Sequence, residues 1–265
     1  MKKPKLGQVF LTDHNILNKI INCSEISEDD TVVEIGCGDG ILSKAIAARA
    51  KKLIIIEIDP ECIQRTQSAL KGMDNVRFIN QDIRNINYSD FLSIPCKLIA
   101  NIPYYLSSQI IKQLIAHKSL FKYAILMVQK EFALKIIASP GQSLYTPLTI
   151  FSHVFLNPSL LFHVSKNCFS PKPKVDSSII KLVPREKTLY HLTQHSPFFK
   201  IVKGLFWGRR KTILVALKKN PYISLKKDFQ NLSIIDDIGR KRGETLSTKE
   251  LFTLFEHIKP FIIID

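Results

Sequence analysis

Short, almost continuously apolar runs rich in β-branched residues, each followed by a helix-like stretch, constrain this chain most. Thr31-Val32-Val33-Glu34-Ile35 is the first of them. Leu53 to Asp59, Val76 to Ile79, Lys97 to Ala100 and Tyr123 to Val128 repeat the pattern. Strands that are apolar at every position must be covered on both faces, which is the situation of a parallel sheet flanked by helices. The expected fold class is α/β with a doubly wound sheet. Pro60 suits the first position of the helix after the second run, where its missing N–H has no partner to lose. No internal repeat is visible.

In such sheets ligands bind beyond the carboxyl ends of the strands. A glycine turn, Gly36-Cys37-Gly38-Asp39-Gly40, stands at the end of the first run. Glycine there lets the backbone approach a ligand closely and adopt positive φ. Glu57 ends the next run, where a carboxylate can accept from both hydroxyls of a ribose, and Asp82 ends the third, within reach of an adenine amino group. Taken singly, Glu34 and Asp39 read equally well as capping or solvated carboxylates. With Glu57 and Asp82 at successive strand ends, the set resembles the S-adenosylmethionine site of class I methyltransferases. The glycine spacing departs from the G-x-G-x-x-G of nicotinamide enzymes.

Asn101-Ile102-Pro103-Tyr104 follows the fourth run. It sets a carboxamide, a rigid turn and an aromatic ring at the same edge. An exocyclic adenine amine is a poor nucleophile because its lone pair is delocalised into the ring. Accepting both its hydrogens, with the Asn101 oxygen and a backbone carbonyl such as that of Ile102, would hold the nitrogen toward tetrahedral geometry. Tyr104 would stack on the base. A plain strand-to-helix turn with Tyr packed for bulk is the competing reading.

This tetrapeptide resembles the Asn-Leu/Ile-Pro-Tyr motif of adenine-N6 methyltransferases acting on nucleic acid. Further segments resemble one branch, the ribosomal RNA small subunit methyltransferase A family of dimethyladenosine transferases. They are Leu6 to Leu11, Met127 to Glu131, Phe169 to Ser178, and Gly204 to Thr212, in family order along nearly the whole chain. The resemblance implies a Rossmann-like class I methyltransferase domain followed by a small, mainly helical C-terminal domain. It implies cofactor contacts from Val9, Leu11, Gly36, Gly38, Glu57, Asp82 and Asn101. Tyr104 and Phe169 would sandwich the target adenine, and Arg209, Arg210 and Lys211 would contact RNA. Its implied activity is S-adenosylmethionine-dependent N6,N6-dimethylation of two adjacent adenosines in the 3′-terminal hairpin loop of small-subunit (16S) rRNA. Its implied state is a monomer acting on that RNA or on a precursor 30S particle during ribosome biogenesis. Val9 stands where many members carry Asn, so only a backbone contact is expected there; Cys37 replaces a frequent Pro with little expected effect.

The charge agrees with a polyanionic partner. Of the net +15, +7 falls on the 80 residues from Glu186 onward, about twice the density of the rest. It is clustered at Arg209-Arg210-Lys211, Lys218-Lys219, Lys226-Lys227 and Arg240-Lys241-Arg242. A boundary near Pro184 gives a cofactor-binding domain over 1–184 and a basic helical domain over 185–265. No apolar run approaches the ~18 residues needed to span a bilayer, and the basic start lacks the apolar core of a secretory signal. Five scattered Cys without a C-x-x-C pair argue for a reducing cytoplasm and against a structural metal site. His14, His117, His153 and His163 stand in no catalytic spacing. Three rivals are a large-subunit rRNA dimethylase conferring macrolide resistance, an RNA-binding assembly factor, and a nicotinamide oxidoreductase.

Overall fold

The structure is a computed structural model that describes residues 9–263; of the segment from Leu6 to Leu11, residues 6–8 lie outside the described part. The described residues form nine strands: β1 (Phe10–Leu11), β2 (Thr31–Ile35), β3 (Lys52–Glu57), β4 (Val76–Asn80), β5 (Cys96–Asn101), β6 (Phe121–Gln129), β7 (Leu156–Val164), β8 (Phe169–Ser170) and β9 (Ser177–Pro184). Ten α-helices accompany them: α1 (His14–Cys23), α2 (Ile41–Ala47), α3 (Pro60–Ala69), α4 (Ser107–Ala116), α5 (Lys130–Ile137), α6 (Pro147–Phe155), α7 (Pro197–Trp207), α8 (Ile213–Lys218), α9 (Ser233–Ile238) and α10 (Thr248–Ile258).

Seven strands form one sheet in the order β4-β3-β2-β5-β6-β9-β7, and β1 pairs with β8 in a separate two-stranded sheet. β4, β3, β2, β5 and β6 run parallel. β9 joins β6 antiparallel, with Ile125 opposite Lys181 and Met127 opposite Ile179. Both faces are covered. Leu53, Ile55, Ile99 and Ile125 pack with Leu17 and Ile21 of α1 and Leu42 and Ile46 of α2. The alternate positions Ile54, Ile56, Leu98 and Leu126 are equally buried.

The helix starts follow local chemistry. The Asp13 carboxylate accepts the Asn15 and Ile16 N–H groups at 2.8 and 3.1 Å and caps α1. Asp59 accepts the Glu61 N–H at 2.9 Å, and Pro60 takes the first position of α3 as its sequence placement predicts. The edge strand β7 escaped the sequence reading. Its Leu-Asn-Pro-Ser-Leu-Leu sequence carries a proline and polar residues that only an edge tolerates.

The chain divides into two compact units: residues 1–133 with 157–184, and residues 134–156 with 185–265. A single cut at Pro184 therefore misplaces 134–156. Within the second unit α6 sets Phe151 and Phe155 against Phe199 of α7, at ring-centroid distances of 5.0 and 5.8 Å. The Tyr145 hydroxyl donates to the Leu246 carbonyl at 3.1 Å. These aromatic contacts, over 40 residues apart in sequence, carry no local signal.

Beneath the sheet of the first unit lies a buried ionic knot. Lys97, in β5, donates to Asp30 at 2.6 Å and to the Glu25 carbonyl. Asp30 also accepts from the Ser27 N–H and hydroxyl, at 2.9 and 2.8 Å, and from Lys122 at 3.1 Å. Burial pushes the Asp30 carboxyl up, but these donors outweigh it and hold it well below the usual carboxylate range. Removing one partner strands a buried charge, so Asp30→Ala is expected to destabilise the chain by about 3 kcal/mol, read from urea unfolding. Because the folded pKa lies below the unfolded one, the wild-type advantage is complete above about pH 4 and fades below it.

Candidate active site

The strand order reverses at β2, which has β3 on one side and β5 on the other. This is the switch point at which a crevice opens beyond the strand ends. The cleft found there is lined by Val9–Leu11, Glu34–Asp39, Glu57, Asp82, Arg84, Asn101–Pro103, Tyr105 and Leu106, among others. Val9, Leu11, Gly36, Gly38, Glu57, Asp82 and Asn101, separated by up to 92 positions, thus meet in one place.

The glycine turn forms the floor. Gly36 has φ +78° and donates to the Ile56 carbonyl at 2.9 Å. A Cβ there would stand 4.0 Å from the Glu57 carboxylate and 3.9 Å from the Asn101 carbonyl. Gly38, at φ +56°, lies so close under Phe10 that a Cβ would meet its ring at 2.9 Å. Only glycine fits there, and β1 is thereby laid across the turn. Phe10 is a lining residue that the motif comparison passed over.

Four carboxyl groups have four different environments. Glu57 accepts the Cys37 N–H at 3.1 Å on one oxygen and the Asp59 N–H at 2.9 Å on the other, which fixes the group at the end of β3. Asp82 is held by Arg84: the backbone N–H at 2.9 Å, Nε at 2.9 Å and Nη2 at 2.6 Å. Those hydrogen bonds lower the Asp82 pKa. Arg84 sits two residues away in no recognised motif, and was not anticipated. Glu34 is fully buried, and among the described residues neither of its oxygens has a hydrogen-bond partner. Burial pushes its carboxyl up to about 8; the nearby Ser43 hydroxyl, outside hydrogen-bonding geometry, draws it back only in part, and the Glu57 charge raises it further. Asp39 turns to Arg65, at 3.2 Å.

Asn101 ends β5 and donates through Nδ2 to the Val9 carbonyl at 3.3 Å. That bond orients the amide. No donor among the described residues pairs with its Oδ1. The following turn is anchored twice: the Tyr104 hydroxyl pairs with Ser177 Oγ at 2.9 Å, and Ser107 Oγ donates to the Tyr104 carbonyl at 2.9 Å. Ser177 lies in the Phe169 to Ser178 segment, which assigned it no role. Tyr104 is half-buried, whereas Phe169 is buried in β8 opposite Leu11. Neither ring lines the cleft itself.

The expected RNA contacts Arg209, Arg210 and Lys211 belong to the second unit. Arg209 is engaged internally, with Glu244 and, at 3.4 Å, the Gln142 carbonyl. Arg210 is exposed, and Lys211 lies over the Trp207 ring.

The cleft suits a cationic nucleoside ligand. It offers a fixed carboxylate at Glu57, a second at Asp82, the half-buried backbone of Gly36 and Gly38, and an orphaned buried carboxyl at Glu34 that a cation would complement. Fold and site together define a class I methyltransferase. The chain matches the ribosomal RNA adenine dimethylase family over residues 1–254 and belongs to it. Among curated relatives, it is 38% identical over 259 residues to ribosomal RNA small subunit methyltransferase A of Clostridium botulinum strain Okra, covering 96% of this chain and 92% of that one. It is 34% identical to the protein of the same name from Geobacillus thermodenitrificans, covering 97% and 91%. The crystal structure of a dimethyladenosine transferase from Plasmodium falciparum superposes with a TM-score of 0.81 at 31% identity, covering 96% and 100%. The 23S rRNA methyltransferase ErmE shares the fold, with a TM-score of 0.73 at 24% identity and coverage of 94% and 99%.

The isolation of Glu34 has a measurable consequence. Its folded pKa exceeds the unfolded value, so the ligand-free protein loses stability as pH rises from the ordinary carboxylate range to about 8. Glu34→Gln should flatten that part of the wild-type Tm-against-pH curve. Parallel curves for the two proteins would show that Glu34 is not protonated in the fold.

Proposed function

We propose that this enzyme dimethylates N6 of two adjacent adenosines in the 3′-terminal hairpin loop of small-subunit rRNA, with S-adenosylmethionine as donor. The observation that carries the proposal is the Asn101 amide, tied through Nδ2 to Val9 so that Oδ1 is left to accept. An acceptor held at the edge of a cleft is what a weakly nucleophilic amine requires. Membership in the adenine dimethylase family and the small-subunit names of the relatives at 34–38% identity favour this substrate over a large-subunit one.

When bound, S-adenosylmethionine supplies an electrophilic methyl group on a sulfonium. Glu57 takes the ribose hydroxyls, Asp82 the adenine amino group, and Val9, Leu11, Gly36 and Gly38 shape the wall. Glu34 complements the positive charge of the donor. Asn101 Oδ1 and the Ile102 carbonyl accept the two hydrogens of the target amine and direct its lone pair into the cleft. Tyr104, anchored on Ser177, gives the flipped base a fixed surface, and Phe169 completes the sandwich. The proton leaves to water after transfer. Positioning supplies most of the acceleration.

In this reading the first unit carries the chemistry and the second, basic unit holds RNA phosphates. The protein works as a cytoplasmic monomer on rRNA or a precursor 30S particle. Among the described residues no helix is long and apolar enough to cross a membrane.

The substrate is tested by incubating the protein with labelled S-adenosylmethionine and either undermethylated small subunits or large-subunit RNA, then mapping the modified bases. Label on two adjacent small-subunit adenosines is expected. Label confined to the large subunit would overturn the assignment.

A further inference from the structure

Trp207 is the only tryptophan of the chain and ends α7 with 55% of its surface exposed. Its helix otherwise turns Phe198, Phe199, Ile201 and Leu205 inward. A lone exposed apolar side chain carries no message by itself. Its surroundings do. Lys211 holds its ammonium 4.6 Å from the centre of the indole ring. Arg210, between them in sequence, is exposed.

A second cationic group reaches the same place through the backbone. Thr212 forms an antiparallel bridge with Arg242. The Ile213 N–H donates to the Lys241 carbonyl at 2.8 Å, and the Leu214 N–H to the Gly239 carbonyl at 3.1 Å. The segment Arg240-Lys241-Arg242, all exposed, is thereby stitched beside Arg209-Arg210-Lys211, some thirty residues earlier. Of the nearby acids, Glu244 is engaged by Arg209, and Glu250, which feels the Lys241 charge, caps α10 through Ser247, leaving Asp236 and Asp237 on α9 against five remaining cations.

We propose that Trp207 is a stacking platform for an unpaired base of bound RNA, with Arg210, Lys211, Arg240, Lys241 and Arg242 holding the phosphates on either side. The inference rests on the RNA-modifying function above and adds a residue and a binding mode to it. Aromatic faces set among cations suit single-stranded nucleic acid, because every base has a π-face and every linkage a negative charge. An anionic membrane would take the same cations but would need an apolar stripe to insert, and here one indole stands among charges. Two sequence-distant basic clusters stitched side by side, one of them holding an aromatic ring, favour a flexible polyanion whose bases can turn toward that ring.

Because Trp207 is the sole tryptophan, its emission reports on this site alone. The full chain is titrated with a short single-stranded RNA and with an abasic strand of equal length. Saturable quenching by the first and none by the second is expected, although both bind. Trp207→Ala should weaken RNA binding about tenfold and Trp207→Phe should recover most of it, with unchanged thermal melts. Arg210→Ala with Lys211→Ala should reduce the slope of log affinity against log salt.

Unaltered emission on RNA binding, or wild-type affinity in Trp207→Ala, would overturn the proposal. So would a response to phosphatidylglycerol vesicles and none to RNA. A protein that methylates rRNA without quenching sinks the platform and spares the enzymatic reading. Quenching without methylation of any rRNA spares the platform and sinks that reading.

Discussion

The parallel pairing of β2 with β3 on one side and β5 on the other is the constraint from which the site follows. It aligns three carboxyl ends, so that the residues leaving them, Gly36, Glu57 and Asn101, surround one point. Successive strands separate after that point because their crossovers lie apart, and the crevice is the space left over. β1 then closes it from above, because Gly38 lacks a side chain and Phe10 occupies that space. The Asn101 amide is fixed by the same strand, through Val9. Backbone placement thus decides side-chain function at each step, and the acids and amide need no adjustment of their own.

Electrostatics divides the molecule along the same lines. In the first unit, carboxylates are distributed by partner: Asp30 neutralised by lysines beneath the sheet, Asp82 by Arg84, Glu57 by backbone N–H groups. Glu34, buried at the cleft, is left without one among the described residues. In the second unit the basic residues are unequal. Arg209 serves the fold through Glu244, whereas Arg210 and the cluster from Arg240 to Arg242 are exposed. Net charge alone hides this distinction.

What was legible in the sequence is what local physics determines. Buried strands announced themselves by unbroken apolar runs, the glycine turn by its spacing, and α3 by Pro60. The cleft residues from Val9 to Asn101 followed from strand ends and motif positions. The edge strand β7 was illegible because edges permit proline and polar residues. The membership of 134–156 in the second unit depends on aromatic packing between distant segments, as does the Arg209–Glu244 pair. The roles of Arg84 and Ser177 were hidden for a related reason: each acts through another residue, Asp82 or Tyr104, and even the Phe169 to Ser178 segment, which contains Ser177, does not say what its hydroxyl touches. The buried position of Phe169 likewise arises from the pairing of β8 with β1, which no spacing encodes.

The central claim is that the Asn101 amide acts on the reacting amine and not on the fold or on RNA affinity. Its most direct measurement is the single-turnover methylation rate of Asn101→Ala at saturating S-adenosylmethionine, beside its Kd for rRNA. The rate should fall by about 100-fold or more while Kd stays within about threefold of wild type. A wild-type rate, or a loss entirely explained by weaker RNA binding, would contradict the account.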